Sequence, residues 1–131
     1  MDNNVGGGVT GFPLRAAAID VGSNAMRLVI GEFTAPGAFV SLAEHRLPVR
    51  LGASVFGVDG GRLSDDVMTA AVGALTTFRQ RMDELGVQVY RASATSAVRE
   101  AANGAVMLER AQVEAGIRLE TITAGEEARL I

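Results

Sequence analysis

The sequence predicts an α/β fold, a three-strand antiparallel meander followed by helix-strand-helix-strand, and three observations carry that prediction. Three extended apolar stretches, residues 15–20, 26–33 and 39–51, follow one another with only short turns between them. A helical repeat then occupies residues 64–86. Beyond it, strand-like residues 87–94 and 117–122 flank a second helical segment at 104–115. Strands joined by short turns run antiparallel, whereas strands joined through helices run parallel.

Each element has a local reason. The first two strands are rich in Ala, Ile, Leu and Val, and Ala35-Pro36-Gly37 marks a turn before the third. Residues 52–61 are expected as loop. Ser64 reads as an N-cap, with Asp65 and Asp66 in the first turn, where the helix dipole favours acids. Val67, Ala71, Ala74, Phe78, Met82 and Leu85 recur at helical spacing as one buried stripe, and Gly86 stops the helix. Residues 95–102 read as a short helical turn, Asn103 is expected to cap residues 104–115, and Gly116 ends that segment. Residues 117–122 alternate apolar and polar, the period of a strand with one buried face. Residues 124–131 carry helix-starting chemistry, with Gly125 followed by Glu126 and Glu127. Residues 1–12, with Gly6-Gly7-Gly8 and no apolar periodicity, read as a disordered leader, and residues 13–131 as the domain.

Composition narrows the function classes. At 131 residues the chain holds one domain with a real core, and 48% apolar with 21% charged residues is ordinary for a soluble protein. The absence of cysteine excludes disulfides, thiolate metal sites and a cysteine nucleophile. A single histidine, His45, excludes histidine-rich metal centres and most Ser-His-Asp arrangements. A net charge of −3 and a pI near 5.1 argue against general nucleic-acid binding. No apolar run approaches ~18 residues, so no membrane span is expected. The polar, glycine-rich first residues do not resemble a signal peptide, so a cytoplasmic location is expected. All twelve basic residues are Arg. A lysine-dependent phosphate loop is thereby excluded, and any cationic phosphate contact must come from arginine.

The most informative motif is Asp20-Val21-Gly22-Ser23-Asn24, a tight Gly-Ser loop between two apolar strands. Gly22 is free to adopt positive φ, and successive backbone N–H groups in such a turn can form an anion-binding concavity. A carboxylate beside a phosphate is useful when a divalent cation joins them, since Mg²⁺ takes oxygen ligands from both. An ordinary hairpin turn with Asp and Asn supplying local hydrogen bonds is the alternative reading. In sheets of this class ligands sit beyond the carboxyl ends of the strands. That end carries three polar segments, residues 20–24, 93–99 and 123–127.

Four stretches taken together resemble the exopolyphosphatase / guanosine pentaphosphate phosphatase family over about residues 15–131. They are Ala17-Ala18-Ile19-Asp20-Val21-Gly22-Ser23-Asn24, Arg50-Leu51-Gly52, Ala94-Thr95-Ser96-Ala97-Val98-Arg99-Glu100-Ala101-Ala102-Asn103, and Gly125-Glu126-Glu127-Ala128-Arg129-Leu130-Ile131. The resemblance implies a ribonuclease H-like half-domain of the actin-like ATPase superfamily. It also implies that the chain is the N-terminal portion of such a phosphatase, truncated before a second Asp-containing, Gly-rich phosphate loop and a second half-domain.

Residue by residue, the resemblance makes Asp20, Gly22, Ser23 and Asn24 the first phosphate loop and places Thr95 and Ser96 among the phosphate-binding residues. It gives Arg99 the grip on a substrate phosphate, a task suited to a planar, permanently charged guanidinium. Glu127 becomes the catalytic residue that positions or deprotonates the attacking water. Mg²⁺ is the implied cofactor, with Asp20 as its ligand, and polyphosphate or guanosine pentaphosphate is the implied substrate. The resemblance is compatible with a homodimeric full-length parent. Ala25 stands where relatives often carry serine. On the residues alone, Arg99 could instead pair with Glu100 or Glu109 on the surface, and Glu127 could be a solvated helix-start acid. At the level of function, a non-catalytic fragment and a phosphotransferase of the same superfamily remain alternatives. The Thr-Ser-Ala-x-Arg and Gly-Glu-Glu-Ala segments fit the phosphatase family better than a kinase.

Overall fold

A computed structural model of the chain describes residues 11–126. The expected leader, apart from Gly11 and Phe12, and the catalytic role read for Glu127 both fall outside those residues.

Strands β1 (Leu14–Val21), β2 (Met26–Ala35) and β3 (Ala38–Leu47) form the antiparallel meander. Strands β4 (Val89–Ala94) and β5 (Leu119–Thr121) join parallel on the other side of β1, giving the order β3-β2-β1-β4-β5. The β2–β3 turn is only Pro36-Gly37 between the paired Ala35 and Ala38, and Gly37 turns the chain with a left-handed φ of 79°. Both late strands are shorter than the alternating pattern suggests.

One face of the sheet carries the core. Ala17, Ile19 and Val21 of β1, Met26, Leu28 and Ile30 of β2, and Ala92 and Ala94 of β4 are all buried in a single cluster with helix residues. Helix α1 (Leu51–Ala53) runs on into a π-helical turn (Ser54–Val58), replacing the end of the expected third strand and part of the expected loop. Leu51 and Val55, four residues apart and both buried, supply the helical spacing that holds it to the core. Helix α2 (Asp65–Glu84) starts as its sequence indicates, with the Val67 N–H donating to Ser64 Oγ at 3.1 Å. Its six-residue stripe faces the core, and Met68, Val72 and Leu75 widen it. Helices α3 (Ser96–Glu100) and α4 (Gly104–Arg110) follow β4. A π-helical turn (Ala111–Ala115) extends α4 to the left-handed Gly116.

Asn103 does not cap α4. Its Oδ1 accepts the Leu63 N–H at 2.8 Å and its Nδ2 donates to the Leu63 carbonyl at 2.9 Å, as a neighbouring strand would. The Ala102 N–H adds a bond to the Gly61 carbonyl at 2.8 Å. The α3–α4 corner is therefore stapled to the segment that enters α2. Glycine is required beside it, because a Cβ on Gly104 would stand 2.3 Å from the Val98 carbonyl oxygen. Asn103→Ala removes both partners of the buried Leu63 backbone, so it is expected to destabilise the fold by about 2–4 kcal/mol. Asn103→Asp, which keeps the acceptor and loses the donor, should fall between that variant and wild type. Chemical denaturation checks both, and an unchanged midpoint for Asn103→Ala would show that the staple is idle.

Candidate functional site

Because β1, β4 and β5 run parallel, their C-terminal ends meet at one edge of the sheet. Val21 pairs with Ala94, and Ala94 with Thr121. Just beyond, short bonds lace the departing segments together. The Thr95 N–H donates to the Val21 carbonyl at 3.1 Å, and the Ile122 N–H to the Ala94 carbonyl at 3.1 Å. Ser23 Oγ and Ser96 Oγ stand 3.0 Å apart and share a hydrogen bond across 73 residues of sequence.

The first loop, residues 22–25, is closed by the Gly22 N–H donating to the Ala25 carbonyl at 3.1 Å. Gly22 does not use positive φ as the motif allowed; it sits in a tight space, where a Cβ would meet the Ala25 carbonyl oxygen at 3.1 Å. Underneath, the Gly52 N–H donates to the Ser23 carbonyl at 2.8 Å, and a Cβ on Gly52 would lie 2.9 Å from Ser23 Cβ. The Arg50-Leu51-Gly52 stretch thus has a physical task, bringing α1 directly against the loop. Asn24 is exposed at the loop tip.

Asp20 lies between the buried Ile19 and Val21, and so projects from the face opposite the core. Its partners across the ladders are Arg27 on β2 and Ser93 on β4. Arg27 also reaches Glu44, with Nη2 3.3 Å from Oε2. Sequence reasoning passed over Arg27, and took Ser93 only as the first residue of the polar segment 93–99. The signal was available for Arg27, because an antiparallel return after a four-residue turn sets it opposite Asp20.

Thr95 is buried, and its hydroxyl donates back to the Val21 carbonyl at 3.4 Å. Arg99 is half-buried at the end of α3. Its Nε lies 3.3 Å from Glu100 Oε2, the ion pair that the residues alone allowed. Its Nη1 donates to the Ile122 carbonyl, which binds α3 to the turn after β5. The structure therefore brings Asp20, Gly22, Ser23, Asn24, Thr95, Ser96 and Arg99 to one edge.

Among the described residues no three acidic or histidine side chains gather as a metal cage. A hard cation held by one carboxylate together with substrate phosphate oxygens needs no such cage, and Asp20 suits that mode. No helix among the described residues is long and apolar enough to cross a membrane.

The family model of the Ppx/GppA phosphatase family matches residues 29–131. The chain belongs to the Ppx/GppA phosphatase family. Its relatives include the guanosine-5'-triphosphate,3'-diphosphate pyrophosphatase of Photobacterium profundum, 32% identical over 115 residues that cover 88% of this chain and 22% of that protein. A protein of the same name from Aliivibrio fischeri is 30% identical over 120 residues, covering 92% of this chain and 24% of its own length. The chain thus spans less than a quarter of these relatives. Among solved Ppx/GppA structures, the Aquifex aeolicus family member superposes with a TM-score of 0.82 at 34% identity, covering 88% of this chain and 37% of that one. An exopolyphosphatase from Cytophaga hutchinsonii superposes at 0.81 with 32% identity, covering 89% and 36%. The ribonuclease H-like, actin-like ATPase fold of this Ppx/GppA chain accords with both.

Proposed function

We propose that a polypeptide carrying this chain as its N-terminal portion is a phosphohydrolase that removes the terminal phosphate from inorganic polyphosphate or guanosine pentaphosphate. One observation carries the reading: the glycine-serine loop after β1 and the start of α3 after β4 close on each other through Ser23 and Ser96, and Asp20 Oδ2 reaches that loop, 3.9 Å from where a Cβ on Gly22 would stand. The names of the relatives, a guanosine-5'-triphosphate,3'-diphosphate pyrophosphatase and an exopolyphosphatase, support the same chemistry.

Each residue has a role in that reading. The loop residues Gly22, Ser23 and Asn24 and the hydroxyls of Thr95 and Ser96 bind phosphate oxygens. Arg99 supplies a fixed guanidinium, and Arg27, across the ladder from Asp20, a second. Glu127 orients the attacking water in line with the scissile phosphoanhydride and takes its proton. Asp20 with substrate phosphate oxygens would hold Mg²⁺, which when bound offsets the crowding of negative charge in the transition state. A cytoplasmic location and a homodimeric full-length state belong to the same proposal.

The direct test is phosphate release from tripolyphosphate and from guanosine pentaphosphate by the full-length polypeptide. Turnover is expected with Mg²⁺ and should fall to background in excess chelator, because Asp20 and Glu127 would otherwise repel the substrate. Undiminished turnover in chelator would remove the metal assignment.

A further inference from the structure

Glu126 and Glu127 set two carboxylates side by side, and by residue type either could serve as the base. The hydrogen bonds at the turn after β5 assign the first of them a different task. The Thr123 N–H donates to Glu126 Oε1 at 2.9 Å, and the Glu126 N–H donates to Thr123 Oγ1 at 3.1 Å. This reciprocal pair is a capping box, which satisfies N–H groups that have no turn beneath them to accept their bonds. Helical backbone begins at residue 124, immediately after Thr123. The same turn is held from outside by the Ile122 N–H on the Ala94 carbonyl and by Arg99 on the Ile122 carbonyl. Thr123-x-x-Glu126 is thus a fixed corner at the edge where Ser23, Ser96 and Arg99 meet.

We infer that Glu126 is a positioning residue: its carboxylate closes the capping box with Thr123 and fixes the backbone from residue 123 to residue 126, leaving proton transfer to Glu127. The inference rests on the phosphohydrolase reading and divides the labour within it. The capping bond needs an oxygen acceptor at position 126, not a negative charge, so glutamine serves as well as glutamate. General-base or metal-ligand chemistry needs the charge and would not survive that change.

The experiment compares Glu126→Gln, Glu126→Ala and Glu127→Gln in the full-length polypeptide, with Mg²⁺ and tripolyphosphate as the probe. Glu126→Gln should keep turnover within about threefold of wild type. Glu126→Ala should lose roughly tenfold or more in kcat with KM nearly unmoved, since a small misplacement of a reacting group is costly to rate. Glu127→Gln should lose far more than either. Amide hydrogen exchange on the same full-length polypeptide gives a readout independent of activity: the Thr123 N–H should exchange slowly in wild type and Glu126→Gln, and faster in Glu126→Ala. If wild type turns over normally while Glu126→Gln is as damaged as Glu127→Gln, this inference alone is overturned. Unchanged Thr123 exchange in Glu126→Ala overturns it as well. A full-length wild type that releases no phosphate takes down the phosphohydrolase reading, and this inference with it.

Discussion

Glu127→Gln in the full-length polypeptide is expected to lower turnover by about 10²–10⁴-fold while leaving substrate affinity nearly unchanged. The substitution preserves size and shape but removes the ability to accept a proton from the attacking water. Binding should survive, because the proposed reading gives the grip on phosphate to the loop after β1, to α3 and to arginine, and to Glu127 only the proton transfer. Single-turnover phosphate release, with an independent binding measurement, separates the two quantities. Near-normal turnover would reduce Glu127 to a helix-start acid and end the catalytic assignment.

Arg99→Ala should behave differently, raising KM by roughly 10–100-fold, the equivalent of losing one charge-assisted contact of about 1.5–3 kcal/mol. A contact made before the chemistry begins appears in KM first. The hydrogen bond from Arg99 to the Ile122 carbonyl adds a second effect, since that carbonyl belongs to the turn preceding Thr123 and Glu126. A smaller fall in kcat should therefore accompany the rise in KM. Arg99→Lys keeps the charge but not the fork, and should recover part of KM. An unchanged KM in Arg99→Ala would end its phosphate role and make it a structural residue, with the ion pair to Glu100 and the clasp on Ile122 among its contacts.

Much of this architecture could be read from the residues. The meander, α2 with its Ser64 cap and the convergence of three segments at one edge follow from turn chemistry, helical spacing and strand direction, all of which are local or topological. Packing decided the rest. The chain at Leu51–Val58 is helical because Leu51 and Val55 must both reach the core, a demand that neighbouring glycines conceal. Asn103 has the composition of a cap, yet its partners lie forty residues away at Leu63. The capping box is written in the sequence as T-x-x-E, yet a helix start was expected from Gly125, Glu126 and Glu127, with Thr123 left outside it. For the site, residue types pointed to the loop from Asp20 to Asn24, and the family resemblance added Ser96 and Arg99. That Ser23 and Ser96 touch, that Thr95 turns back to Val21 and that Arg27 faces Asp20 are consequences of register.

The bonds that lace the edge together have a kinetic meaning. Ser23 meets Ser96 across 73 residues and Thr95 meets Val21 across 74, whereas the meander closes through turns of a few residues. Closing a long loop loses more chain entropy before any contact forms, so nonlocal pairings of this kind slow folding and form after local ones. The meander can therefore assemble early, with β4 and α3 docking onto it afterwards. The edge at the C-terminal ends of β1, β4 and β5 is thus expected to be the last part of the sheet to form. A multivalent anion bridging the loop and α3 would act as a late-stage clasp, stabilising the docked state without altering the hairpins that precede it.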